Sequence, residues 1–104
     1  MLPRDHRLHP RSRVRTTQRR GRRVRSGAVV VHYLADSATP QAAVVAGRAV
    51  GPAVNRHRRQ RQVRHALAAA WADLPGGSYV VRILPGAQDY SQLERDLRAA
   101  VSRL

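Results

Sequence analysis

The chain has 104 residues, and its twenty basic residues, all arginine, stand against six acids for a formal net charge of +14. Apolar residues make up 42 %, enough for the core of one modest domain over residues 1–104 and too many for a disordered coil. The absence of cysteine excludes disulfides, thiolate catalysis and cysteine-ligated zinc, and no apolar run reaches the ~20 residues of a membrane span.

So large a positive excess destabilises the compact state by self-repulsion, and it points to nucleic acid or an anionic surface as the partner. Arginine without lysine favours planar, bidentate phosphate contacts and stacking on bases; a GC-rich coding bias would give the same composition. The N-terminus is arginine-rich without the apolar segment of a secretory signal, and the apolar stretch from Ala28 follows too closely for a removable transit peptide. The expected location is the cytoplasm.

Residues 1–25 form an arginine-rich arm and first helix. Ser12 is placed to cap a helix running to Arg20, which Gly21 would end. Arg22–Arg25 reads as a short edge strand, where charge discourages edge-to-edge pairing. Ala28–Leu34 is a strand whose alternation puts Ala28, Val30 and His32 on one face and Val29, Val31 and Tyr33 on the other. Ala35–Pro40 is a turn, and Ala42–Gly47 returns as a strand antiparallel to the first, given the short connection.

Pro52 suits a first helical position, and the helix it opens runs to about Asp73. Val63, Ala66, Leu67, Ala70, Trp71 and Leu74 recur at three- and four-residue steps as a buried stripe. Burial of Leu67 and of Trp71 should contribute roughly 2 kcal/mol each. Leu74-Pro75-Gly76-Gly77 stops the helix, Ser78–Leu84 is a strand, and Ser91–Leu104 is a helix with Leu93, Leu97, Ala100, Val101 and Leu104 on its apolar face. Strand, long helix and strand over residues 43–84 make a βαβ unit with parallel strands. The whole is an α+β sandwich of order αβββαβα, its helices covering one side of a small sheet.

The long helix carries the functional signal. Its N-terminal half holds Arg56, Arg58, Arg59, Arg61 and Arg64 with no acid between Asp36 and Asp73. A solvated helix face normally intersperses both signs, and cations near a helix N-terminus oppose its dipole. Arg58, Arg61 and His65 share one strip with Arg64 beside them, while Arg59 falls at the edge of the apolar stripe and must reach outward. An external polyanion accounts for this arrangement. No metal or acid–base site competes with it. His6 and His9 lie among arginines, His57 and His65 are too far apart to share a metal, and no nucleophile elbow, phosphate loop or paired-carboxylate motif occurs. A protein-only nuclease would need clustered acids for its metals.

Val50-Gly51-Pro52-Ala53-Val54, followed by Arg56-His57-Arg58, Arg61 and Arg64, resembles the signature of the bacterial ribonuclease P protein subunit, in its actinobacterial form. The resemblance covers nearly the whole chain. It takes in Arg7-Leu8, Arg19-Arg20-Gly21, Val29–Leu34, Val45–Gly51 and Leu84-Pro85-Gly86-Ala87. It implies a left-handed crossover through the basic helix, against the general right-handed rule.

The resemblance also implies a cofactor subunit for a catalytic RNA, which holds the Mg2+ ions that cleave the 5′ leader from precursor tRNA. No cofactor is then bound by protein ligands alone, and no membrane or obligate protein partner is needed. Arg48, Arg56, His57, Arg58, Arg61 and Arg64 match the positions that contact the RNA subunit. His57 replaces a usual asparagine, Gln60 a common lysine, His65 a frequent glutamate, and Gly47 and Arg48 a serine and a lysine. Arg11, Val14, Arg15, Gln18 and His32 match the leader-binding cleft. There Val14 and Gln18 replace aromatic or bulky apolar residues, Arg13 an acid and His32 a tyrosine. Base stacking would rest on His32 and on arginine planes. The alternative reading is a non-catalytic structural RNA-binding protein of the ribosomal type. A nucleoid DNA-binding protein is disfavoured by the lack of a helix-turn-helix.

Overall fold

The computed structural model describes residues 2–86 and 89–104; Met1, Ala87 and Gln88 lie outside the described residues. Three helices, α1 (Arg11–Arg20), α2 (Ala53–Ala70) and α3 (Tyr90–Ser102), accompany four strands, β1 (Arg22–Ser26), β2 (Val29–Leu34), β3 (Pro40–Ala46) and β4 (Gly77–Ile83). The element order is the expected αβββαβα. Short 3-10 turns at Arg4–His6, Arg48–Val50 and Trp71–Asp73 add to it.

The sheet order is β1-β2-β4-β3. β2 pairs antiparallel with β1 and β4, and β3 pairs parallel with β4, with Val44 opposite Val81. The expected βαβ unit is therefore present. β3 also runs opposite to β2, as expected, but the two do not pair: β4 lies between them and takes the hydrogen bonds of both. A short link constrains direction and leaves adjacency open.

One face of the sheet carries Val29, Val31, Tyr79, Val81 and Ile83, which pack with Val63, Ala66 and Leu67 of α2 and with Leu93, Leu97 and Ala100 of α3. Trp71, expected in this buried stripe, packs only partly against it and stacks on His6 at 4.3 Å between ring centroids. Tyr33 and Tyr79 lie 4.8 Å apart and donate to the carbonyls of Gly76 and Pro75, each at 2.6 Å, which pins the turn before β4. The β1–β2 hairpin is closed from α3, where Asp96 Oδ2 accepts the Ala28 N–H at 3.1 Å.

Helices do not cover one side alone. α2 and α3 do, whereas α1 crosses the opposite face: its Arg13 reaches Ser78 of β4 and Gln41 of β3, two residues opposite one another in register. Ser12 lies inside α1 rather than capping it, and Pro10 occupies the capping position. Gly21 ends α1 as expected but with extended backbone (φ −77°). Glycine is needed there because a Cβ would sit 2.5 Å from the Thr17 carbonyl and 2.7 Å from that of Tyr33. The helix end rests directly on β2.

The segment before α1 closes the outer edge of β3. Leu2 is 3 % exposed and joins the core, and the Leu8 N–H donates to the Ala42 carbonyl at 2.9 Å. Edge strands left bare invite aggregation, so this strap takes the place of a neighbouring strand.

Leu67→Ala is expected to lower the unfolding free energy by about 2–5 kcal/mol, whereas Val54→Ala, at a side chain 69 % exposed, should change it by less than about 0.5 kcal/mol. Urea denaturation of the two variants checks this; equal losses would contradict the assignment of the stripe.

Candidate RNA interface

The N-terminal half of α2 projects beyond the core, for its buried residues begin only at Val63. The first turn contains no acid. His57, Arg58 and Arg61 are exposed, and Arg56, Arg59 and Arg64 are half-buried. Arg59 does not sink into the core; its Nη1 donates to Gln62 Oε1 at 3.0 Å. Arg58 and Arg59 line a polar hollow with Val50, Asn55 and Gly86. The buried Nε of Arg56 has no hydrogen-bond partner among the described residues, leaving a donor unsatisfied at the start of the basic stretch.

Arg48 is exposed in the turn that leads into α2. The chain re-enters the helix through Gly51 at φ 135°, a backbone conformation that side-chain-bearing residues rarely adopt. Arg48 is thereby held near the start of α2. Arg64 faces a different way and lines a hollow of about 360 Å³ with Arg7, Leu8 and Ala42. His65, placed by spacing on the arginine strip, meets the edge of Tyr90 on α3, with ring centroids 5.6 Å apart.

A second feature lies on the other side of β3. Arg11, Val14, Arg15 and Gln18 of α1, residues 43–46 of β3 and Gln60 of α2 line a groove of about 480 Å³. Four of the five expected cleft residues are thus together. Gln60, which spacing alone did not place there, links the groove to the basic helix. No aromatic ring is among the described residues lining it, so arginine planes are the stacking surfaces it offers.

His32 is the exception. It is 5 % exposed beneath α1, in the row of β2 opposite Val80, and its ring is not available to stack on a base in this conformation. Burial, and then the positive Arg82 and Arg23, hold its pKa below the usual 6.5. The Gln18 carbonyl pulls the other way, but neither ring nitrogen completes a well-formed hydrogen bond among the described residues. Sequence alternation gave the correct face for His32; what it lacked was the position of α1 above that face.

The family model described as Ribonuclease P matches residues 2–104. The chain belongs to the ribonuclease P protein family. It is 44 % identical to the ribonuclease P protein component of Streptomyces bikiniensis, over 100 % of this chain and 95 % of that one. With the protein component of Corynebacterium diphtheriae it shares 37 % identity, over 100 % of this chain and 97 % of the relative. In fold it is similar to the RNase P protein of Staphylococcus aureus (TM-score 0.86, 15 % identity, 94 % of both chains). It is also similar to that of Thermotoga maritima (TM-score 0.83, 20 % identity, 94 % of this chain and 96 % of that one). The helix signature and the fold thus point to one family, and the Arg56-His57-Arg58 triplet sits on an exposed face of the chain.

Because the folded chain binds fewer protons at His32 than the unfolded chain, the stability gained from the neutral ring is full above about pH 6.5. It is lost as pH falls through the lowered folded value. His32→Leu should remove this share of the pH dependence, so the variant's stability, followed by urea denaturation, should fall less than that of the parent below about pH 6.5. Parallel curves for the two chains would contradict the burial of a neutral imidazole.

Proposed function

We propose that the chain is the protein component of ribonuclease P, the endoribonuclease that removes 5′ leaders from precursor tRNA, and that its two basic features serve two RNAs. Arg56, His57, Arg58 and Arg61 of α2, with Arg48 in the turn before it and Arg64 on its flank, bind the catalytic RNA subunit. The groove between α1 and β3 receives the single-stranded leader. The carrying observation is an acid-free arginine run on α2 beside a groove in which Arg11, Val14, Arg15 and Gln18 of α1 meet β3.

Each arginine that neutralises a phosphate releases condensed counterions, and this gives affinity without sequence preference. That suits a subunit whose substrates share a junction rather than a sequence. The groove is lined by guanidinium, amide and small aliphatic groups, so Arg11 and Arg15 offer contacts to phosphate and to base faces, and Gln18 and Gln60 hydrogen bonds to base edges.

Cleavage chemistry belongs to the RNA subunit, which would hold the Mg2+ needed for hydrolysis. Among the described residues no three histidine, aspartate or glutamate side chains gather as a metal site. Asp36, beside α1, accepts from Ser78. The protein's part is to hold two polyanions together by reducing the repulsion between them. No helix of the described residues is long and apolar enough to cross a membrane, and we place the complex in the cytoplasm.

Precursor tRNA incubated with this protein alone should stay intact. With its RNA subunit at low magnesium, adding the protein should restore removal of the leader. Cleavage without the RNA subunit, or no effect of the protein on the RNA-dependent reaction, would overturn the proposal.

A further inference from the structure

α1 rests on the sheet with little apolar contact, for Thr17 is its one fully buried residue. Hydrophobic burial therefore does little to fix its height over β3 and β4. A polar cluster does so instead. Arg13 Nη1 donates to Gln41 Oε1 at 2.8 Å, and Nη2 donates to Ser78 Oγ at 3.1 Å. Ser78, 0 % exposed, donates in turn to Asp36 Oδ1 at 2.8 Å, and Asp36 Oδ2 lies 4.0 Å from Arg13 Nη2. One guanidinium thus ties α1 to β3, to β4 and to the loop after β2.

The residues on either side of Arg13 have another task. Arg11, Val14 and Arg15 line the groove, and Arg13 does not. Its guanidinium is committed to contacts within the protein. We propose that Arg13 is a positioning residue whose fork sets the height of α1 above β3, and so the width of the groove that takes the leader. This inference rests on the reading of that groove as the leader site.

The chemistry selects arginine. Two acceptors on different strands must be met at once by donors in a fixed plane, which a lysine ammonium does poorly. The Asp36 charge is the lesser part. Both partners are more than a third exposed, and water screens such pairs strongly. The hydrogen bonds to Gln41 and Ser78 carry the positioning.

The test uses holoenzyme reconstituted from the full chain and its RNA subunit, with precursor tRNAs bearing either a one-nucleotide or a long leader. The parent protein should bind the long-leader substrate more tightly. Arg13→Gln is expected to lose about tenfold of that gain, the low end of the scale for hydrogen bonds to a charged group. Its affinity for the RNA subunit and for the short-leader substrate should stay within about twofold. Arg13→Lys should recover only part of the loss. Gln41→Ala, which removes one acceptor and no charge, should lose about two- to threefold.

Retention of the full leader gain in Arg13→Gln would overturn the proposal. So would complete rescue by lysine, or an equal loss of affinity for the RNA subunit, since these would mean simple charge or general unfolding. If the parent protein itself shows no leader gain, the groove is not the leader site, and the reading beneath the inference fails with it.

Discussion

The parallel pairing of β3 with β4 is the constraint on which the rest of the molecule depends. Parallel neighbours need a crossover, and α2 supplies it, packing Val63, Ala66 and Leu67 against Val29, Val31 and Val81. Because β4 then lies between β2 and β3, β3 becomes an outer strand with a free edge. The strap from Leu2 to Leu8 closes that edge, α1 lies over the face opposite α2, and the groove forms beside β3. Had β3 paired with β2, as a short loop suggests, the basic helix and α1 would not flank one strand.

A chain of this charge must also dispose of its arginines. The structure divides them by task. Arg58 and Arg61 stay exposed on α2 and Arg48 in the turn before it, where like charges are tolerated only because solvent and counterions screen them. Others are turned to internal use: Arg13 binds Gln41 and Ser78, Arg7 donates to the Leu2 carbonyl at 3.0 Å, and Arg103 donates to the Arg25 carbonyl. A backbone or amide oxygen satisfies a guanidinium without an acid, which suits a chain holding six acids in all. The electrostatic repulsion that remains is concentrated on the surfaces that RNA would neutralise.

Much of this was legible in the sequence. The period of the apolar residues located α2, α3, β2 and β4, and the bare arginine run located the candidate interface. What could not be read were distances between elements remote in sequence. Trp71 has the spacing of a core residue, yet its partner is His6, 65 positions away in the chain. His32 was assigned to the correct face of β2, but its burial depends on α1, whose weak apolar stripe gives no sign that it lies across that face. The resemblance sets Arg13 among the cleft residues, in place of an acid. Its distinction from Arg11 and Arg15 comes only from Gln41 and Ser78, which fold beneath it.

The separation of the two RNA sites can be measured directly, because the chain contains no cysteine and single cysteines can carry a photo-cross-linker without further substitution. Val54→Cys lies on the exposed side of α2, and Val45→Cys lies in the groove. In reconstituted holoenzyme with precursor tRNA bound, the probe at 54 is expected to cross-link to the RNA subunit and the probe at 45 to the 5′ leader. Cross-links from both positions to one RNA, or from 54 to the leader and 45 to the RNA subunit, would contradict the division of labour between helix and groove.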